Sequence, residues 1–384
     1  MVKAMNMMAP FGPAGLIRAE TLTTLAALEK ITPAWQALGA RSGVPAGAHF
    51  ESWLAPALQN SRARRQAEIL ALWRGSRLCG LFALRSGRGP IRRSWTSPLS
   101  FLGTPLIDAE RPVDVLRSFL GALQGKAVIL SAVPATGPFW DMLSQAVAET
   151  QGSIEVLNRW ERAALAPKAS FEEWFNGNFE RKRRKEFRRL RTRLGEEGRI
   201  ESEAWAAGIP LDPWIDDLIA LEAKGWKGRR GTALAANAAM ATAFREALHR
   251  LAAEDSLRLW RVTFDGRPIA MMSGLVKGSQ GWLGKIAYDE AFAKYSPGVM
   301  LVLDVTERLI DQERLALVDS CAIPGHPMID NIWRDRLALC DVMIRAPGLS
   351  ATAFNLLLAA ERSRRRLRAA AKALIYRITR RQRS

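Results

Sequence analysis

Cysteine, histidine and tyrosine are scarce in this chain, three of each among 384 residues. Cys79, Cys321 and Cys340 show no C-x-x-C spacing. That argues against a disulfide framework and fits a reducing cytoplasm. A zinc site built on Cys321 and His326 would lack a second ligand pair, so no metal is expected. No apolar run approaches the roughly 20 residues that cross a bilayer. The opening MVKAMNMMAPFGPAGLI is interrupted by Pro10, Pro13 and two glycines and has no good cleavage site after it, so a signal peptide is not expected. A G-x-S-x-G elbow is also missing, which removes the nucleophilic serine of that hydrolase motif. Acidic residues are short too: 38 Asp and Glu face 56 Lys and Arg, a formal charge of +18.

What is present is enough apolar material for ordinary cores, 48% of the residues, in a length that suggests two or three domains. The positive charge is concentrated. One cluster is Arg181 to Arg193 (RKRRKEFRRLRTR), the other Arg362 to Arg383. Such a field attracts nucleic acid, anionic lipid or phosphorylated ligands. A plain preference for arginine on solvated faces is the competing reading. In the tail, Phe354, Leu357, Leu358, Leu367, Ala371, Leu374, Ile375 and Ile378 recur at near-helical spacing among the arginines. A basic amphipathic helix of that kind suits an anionic membrane surface, with nucleic acid a weaker candidate.

The pattern alternates between helix and strand, an α/β (α+β) arrangement with mixed, mostly antiparallel sheets. In the first part, Trp53–Gln66, Val113–Leu123 and Phe139–Thr150 read as helices. Glu68–Trp73, Leu78–Leu84, Ala127–Ala132 and Ser153–Leu157 read as strands. Ser170 with Glu173 forms a capping box opening a helix expected to continue through the basic run. Helices over Pro213–Ala223 and Ala238–Ala252 follow. Leu257–Phe264 and Pro268–Val276 form a hairpin on an Asp265-Gly266 turn, and Lys277-Gly278 leads to the next strand. This repeats the order of the first part's hairpin. The expected layout is an N-terminal lobe (1–165), a basic helical region (166–255), a C-terminal lobe (256–345) and a tail helix (346–384).

The richest stretch is Gly281 to Arg336. An apolar strand, Trp282 to Ala287, leads into Ser296-Pro297-Gly298 and a helix. A second apolar run then closes on Asp319. The first N–H groups of a helix point outward and the helix dipole adds positive potential, so a pyrophosphate fits there. Lys285, Tyr288, Asp289, Cys321 and His326 crowd the same span, and Cys321 reads as buried and inert.

These pieces resemble the N-acetyltransferase (GNAT) core. More narrowly, FERKRRKEFRRLRTRLGEEG, LEAKGWKGRRGTAL and RPIAMMSGLVKGSQGWLGKIAYDEAFAKYSPGVML are similar to the CelD-type, cellulose-biosynthesis acetyltransferases, relatives of FemAB-like transferases. The resemblance spans roughly Phe171 to Trp333. It implies two tandem GNAT-like lobes joined by basic helices, with acyl-CoA bound in the second. It also implies acyl transfer to an amine or hydroxyl of a cell-envelope, lipid or polysaccharide precursor, in the cytoplasm or at the membrane's inner face. An aminoacyl-tRNA donor, as in FemAB-like relatives, and a non-catalytic basic binder on a GNAT scaffold stay open. The usual pyrophosphate loop, Arg/Gln-x-x-Gly-x-Gly/Ala, is reduced here to Lys294-Tyr295-Ser296-Pro297-Gly298-Val299, with one glycine and fewer expected contacts.

In that reading Lys294, Tyr295, Ser296, Gly298 and Val299 hold the cofactor. Asp319 at a strand end, His326 in a rigid Pro-Gly-His-Pro loop as base, and Tyr288 as acid are the catalytic candidates. Each has a plainer role available: loop cap, surface histidine, packing. Glu222, Trp226 and Lys227, in a glycine-bracketed turn, and Lys285 are candidates for substrate contact. A helix-ending loop and a solvent-facing lysine are their plainer roles.

Overall fold

A computed structural model describes residues 16–60, 67–100, 102–167 and 169–381. The expected reading of the N-terminal segment therefore lies outside the described residues, as does the second half of the Trp53–Gln66 helix. The first half of the chain runs Ile17–Leu22 (β1), Leu25–Arg41 (α1), Glu51–Asn60 (α2), Ala67–Arg74 (β2), Arg77–Arg85 (β3), Ile91–Arg93 (β4) and Leu106–Ile107 (β5). It continues through Pro112–Ala122 (α3), Ala127–Pro134 (β6), Pro138–Glu149 (α4) and Ser153–Leu165 (β7). The second half runs Phe171–Asn178 (α5), Arg181–Gly195 (α6), Ile200–Ala204 (β8), Leu211–Lys224 (α7), Trp226–Arg229 (α8) and Ala238–Ala253 (α9). Leu257–Phe264 (β9), Arg267–Lys277 (β10), Gln280–Tyr288 (β11), Pro297–Glu307 (α10), Leu317–Asp319 (β12), Asp335–Arg345 (β13) and Ala351–Arg381 (α11) complete it.

The strands form a four-stranded sheet, β1-β2-β3-β5, and a nine-stranded sheet, β4-β6-β13-β7-β12-β11-β10-β9-β8. Pairing is antiparallel except for β4 with β6 and β11 with β12. The fold is thus the expected mixed α/β arrangement with mostly antiparallel sheets. The long pair β7–β13 joins the last strand of the first half to the last strand of the second half in one sheet. Trp282 of β11 reaches the first half, packing edge-on to Phe50 at 5.9 Å between ring centres. Helices α2 and α9 are stapled as well: Trp53 meets Phe244 edge-on at 6.2 Å, and Arg250 pairs with Glu51.

The hairpins follow their turn chemistry. Asp265 and Gly266 both sit at positive φ, 47° and 75°, as a two-residue type I′ turn requires. The next turn falls one residue later than expected, at Gly278-Ser279. The Ser170 capping box is present in full. The helix it opens does not run through the basic cluster; it stops at Asn178. Phe179 takes extended backbone (φ −129°, ψ 140°), and α6 begins two residues on. The break buries Phe179 edge-on against Phe187 at 5.1 Å. Arg184 then donates to the Asn176 and Phe179 carbonyls left unpaired by the break.

Helix α11 is held at one end. Phe354 and Leu358 pack on Ile129 and Met343 of the sheet. Buried Glu361 accepts hydrogen bonds from Arg93, Arg364 and Arg365. Burial pushes its carboxyl up, but the three guanidiniums outweigh this and hold it well below the usual range. Replacing Glu361 with alanine leaves those cations without their buried partner. The expected cost is on the order of 3 kcal/mol in chemical denaturation, with faster proteolysis inside 351–373.

Candidate active site

β11, α10 and β12 form a parallel crossover, which places the start of α10 at the carboxyl end of β11. β12 pairs with β11 over only three residues, Gln280–Trp282 against Leu317–Asp319, and then leaves. The cause is local. Asp319 Oδ1 accepts the Cys321 N–H at 2.8 Å, and Cys321 sits at φ 51°, turning the chain out of the sheet. The other carboxylate oxygen pairs with Arg162 on β7. Burial pushes the Asp319 carboxyl up, with Arg162 pulling against it. From Leu283 to Tyr288, β11 therefore keeps β10 on one side and has no paired strand on the other among the described residues.

A cleft of about 570 Å³ opens into that wedge. One wall is the start of α10. Ser296 lies in the left-handed region (φ 55°, ψ 52°), Pro297 occupies the first helical position, and no side chain caps the helix. Gly298 faces the cleft floor: a Cβ there would lie 3.2 Å from Met328 Sδ and 3.3 Å from the Tyr288 ring. The opposite wall is α8, locked in place by Glu290, which accepts the Trp226 N–H at 2.8 Å and pairs with Arg229 at 2.7 Å. Gly228 is required in this bend, since any Cβ would lie 1.7 Å from the Ala223 carbonyl oxygen.

Buried Glu222 organises the charge. It pairs with Lys227 at 2.9 Å and Lys285 at 3.3 Å and accepts the Leu234 N–H at 2.8 Å. Burial pushes its carboxyl up, but that N–H and the two ammoniums outweigh burial and hold it below the ordinary value. Burial lowers the Lys285 ammonium, and Lys227 adds to this against the pull of Glu222. His326 is also lowered, first by burial. Its Nδ1 accepts the N–H groups of Met328 and Ile329 at 3.3 and 3.4 Å, so the neutral ring carries its proton on Nε2. The Tyr288 hydroxyl has no hydrogen-bond partner among the described residues.

The cleft brings together Glu222, Trp226 and Lys227 on one side with Tyr288, Ser296, Gly298, Val299 and His326 on the other. Lys285 reaches it through Glu222. Three expected residues lie elsewhere. Asp319 is set back from the cleft in its pair with Arg162. Lys294 and Tyr295 turn to Glu197, Lys294 at 3.5 Å and Tyr295 through its hydroxyl. Sequence reasoning missed Arg183, which lines the cleft. Its signal was available: it stands one helical turn before Phe187, an apolar-face residue of the basic run.

Residues 181–324 match the family model described as Acetyltransferase (GNAT) domain. The chain is similar in fold to FemX, with a TM-score of 0.56 at 10% identity over 86% of this chain and 98% of that one. It is also similar to the C-terminal domain assigned to a lysylphosphatidylglycerol synthetase from Agrobacterium fabrum. There the TM-score is 0.52 at 11% identity, over 87% of this chain and 96% of that one. No curated protein matches. The matched GNAT domain spans the wedge and the α10 turn, and the chain as a whole shares the fold of these structures.

The Glu222 cluster has a measurable pH signature. A carboxyl held below its unfolded value contributes stability that is complete above the ordinary carboxylate range and is lost as pH falls through its folded value. Glu222→Gln is expected to lower the urea midpoint clearly at pH 7 and far less at pH 3.

Proposed function

We propose that the cleft is the reaction site of an acyltransferase that moves an acyl group from acyl-CoA to an amine or hydroxyl. The acceptor class is a cell-envelope, lipid or polysaccharide precursor. One observation carries the reading: a single cleft unites an uncapped helix start with the free edge of β11. The helix start suits a diphosphate. The unpaired edge of β11 offers backbone N–H groups to a carbonyl oxygen that gains charge as the acceptor attacks.

In this reading the acceptor nitrogen or oxygen bonds to the thioester carbon, the C–S bond breaks, and the acceptor's proton ends on the departing sulfur. His326, protonated on Nε2, and Tyr288 are hydrogen-bond donors for the oxyanion or the leaving thiolate. Lys227 and Lys285, partnered by Glu222, place positive potential at the acceptor side. Asp319 acts through geometry, by parting the strands.

An aminoacyl ester of RNA is the second reading. Arg183 at the cleft, and the exposed cations of α6 beside it, favour a long polyanion. Thermal shift separates the two. A hundredfold excess of CoA over Kd is expected to add roughly 2.7 kcal/mol of stability. Gly298→Val, which crowds Met328 and Tyr288, should abolish that gain, measured against the variant's own unliganded melting temperature, which overpacking is expected to lower. No response to CoA, with a salt-sensitive response to RNA, would reject the acyl-CoA reading.

The tail supports residence at an anionic membrane surface. No helix among the described residues is long and apolar enough to cross a membrane. From Arg366 to Ala373, however, every residue of α11 is exposed, Leu367 by 71%. A helix carrying leucine among arginines and free of the body can lie in a lipid headgroup layer. Flotation with phosphatidylglycerol liposomes should carry the full chain and leave a form ending at residue 365 behind. Equal flotation of both rejects the assignment.

A further inference from the structure

The stretch of β11 that borders the cleft is out of step with its neighbour. Met272 of β10 pairs with Ile286, but Gly274 pairs with Leu283. Ser273 alone therefore stands opposite two residues, Gly284 and Lys285, which is a β-bulge in β11. The packing records the same extra residue. Trp282 and Ala287 both join the core that holds Leu221 of α7, although residues five apart on an unbroken strand face opposite sides. Leu283, Ile286 and Tyr288 all join the core that holds Met300 and Leu301 of α10. Without the extra residue, Lys285 would share the face of Leu283, away from Glu222. Tyr288 would share the face of Trp282, away from Gly298. The bulge thus decides which side of the sheet two candidate site residues reach.

The bulge carries its own clasp. Ser273 is 1% exposed, and its hydroxyl accepts the Lys285 N–H at 2.9 Å. Gly284 makes room for that hydroxyl, since a Cβ there would lie 2.6 Å from the oxygen. The one residue opposite the bulge therefore ties the extra residue down from the facing strand. Beyond the clasp, Lys285 Nζ reaches Glu222 at 3.3 Å, and the Tyr288 ring lies 3.3 Å from where a Gly298 Cβ would stand. We propose that Ser273 is a positioning residue of the site: its hydroxyl holds the register that turns Lys285 to Glu222 and Tyr288 to the first turn of α10. Its part in acyl transfer rests on the cleft being the reaction site; its hold on the register does not.

Lys285 reports its own position. Burial lowers its ammonium, Lys227 adds to this, and Glu222 pulls the other way. Removing the carboxylate therefore lowers the pH at which the amine becomes reactive, provided that Lys285 faces Glu222. Acetylation of the full chain with acetic anhydride across pH, followed at Lys285 by peptide mass spectrometry, reads that midpoint. Glu222→Gln is expected to lower it in the wild-type background. Ser273→Cys keeps the size but weakens the acceptor, and there the response to Glu222→Gln should be lost. Ser273→Thr, which keeps a hydroxyl, should retain it. Near-UV circular dichroism verifies that each chain is folded. If Ser273→Cys does not fold, Gly284→Ala, which crowds the hydroxyl from the facing strand, should abolish the response in its place. An equal response in every background, or none in wild type, overturns the assignment. The labelling uses no CoA. A chain that shows the expected pattern but does not bind CoA in calorimetry keeps Ser273's hold on the register and rejects the acyl-CoA reading.

Discussion

The parting of β11 from β12 is the constraint on which the rest of the site depends. Two parallel strands that stayed paired would satisfy each other's backbone groups and leave no wedge. Here the pairing ends after Trp282 because Asp319 bonds forward to the Cys321 N–H and sideways to Arg162. A buried ion pair gives little net stability once desolvation is counted. Its effect here is on direction: it fixes where β12 ends and sends the loop carrying His326 and Met328 to the far side of the cleft.

A second constraint is the placement of charge. The chain carries +18, yet the cations nearest the cleft are few and individually held. Lys227 and Lys285 share Glu222, Arg229 is tied to Glu290, and Arg183 rests on Phe187. Arginines are also dense on the exposed faces of α6 and of the described part of α11, where salt screens them and where they act through the summed field. Local fixation suits recognition of a defined anion, while the diffuse field suits attraction to a charged surface.

Much of the fold was legible because it rests on local rules. The β2–β3 and β9–β10 hairpins follow from apolar runs and turn residues. The start of α5 follows from Ser170 and Glu173, and the start of α10 from Ser-Pro-Gly. Less regular features were not readable. Helix α5 ends at Asn178 because Phe179 gains more by burial against Phe187 than by continuing the helix, which is a tertiary preference. Strand β13, which ties the sheet together, is matched to β7 from nearly two hundred residues away. Adjacency in the sequence groups Lys294 and Tyr295 with the anion loop, but the left-handed turn at Ser296 directs them to Glu197 instead.

By itself the sequence determined residue chemistry and short-range geometry: the basic clusters, the helix start able to receive an anion, and the glycine-bracketed turn at Trp226. These depend on neighbours within a few positions, so the linear order contains them. Only the tertiary structure decided that α8 faces α10 across one cleft. Likewise, it alone made Asp319 a strand terminator paired with Arg162 and put Arg183 at the cleft. Those outcomes depend on which distant surfaces bury each other, and burial is a property of the assembled layers that no local spacing encodes.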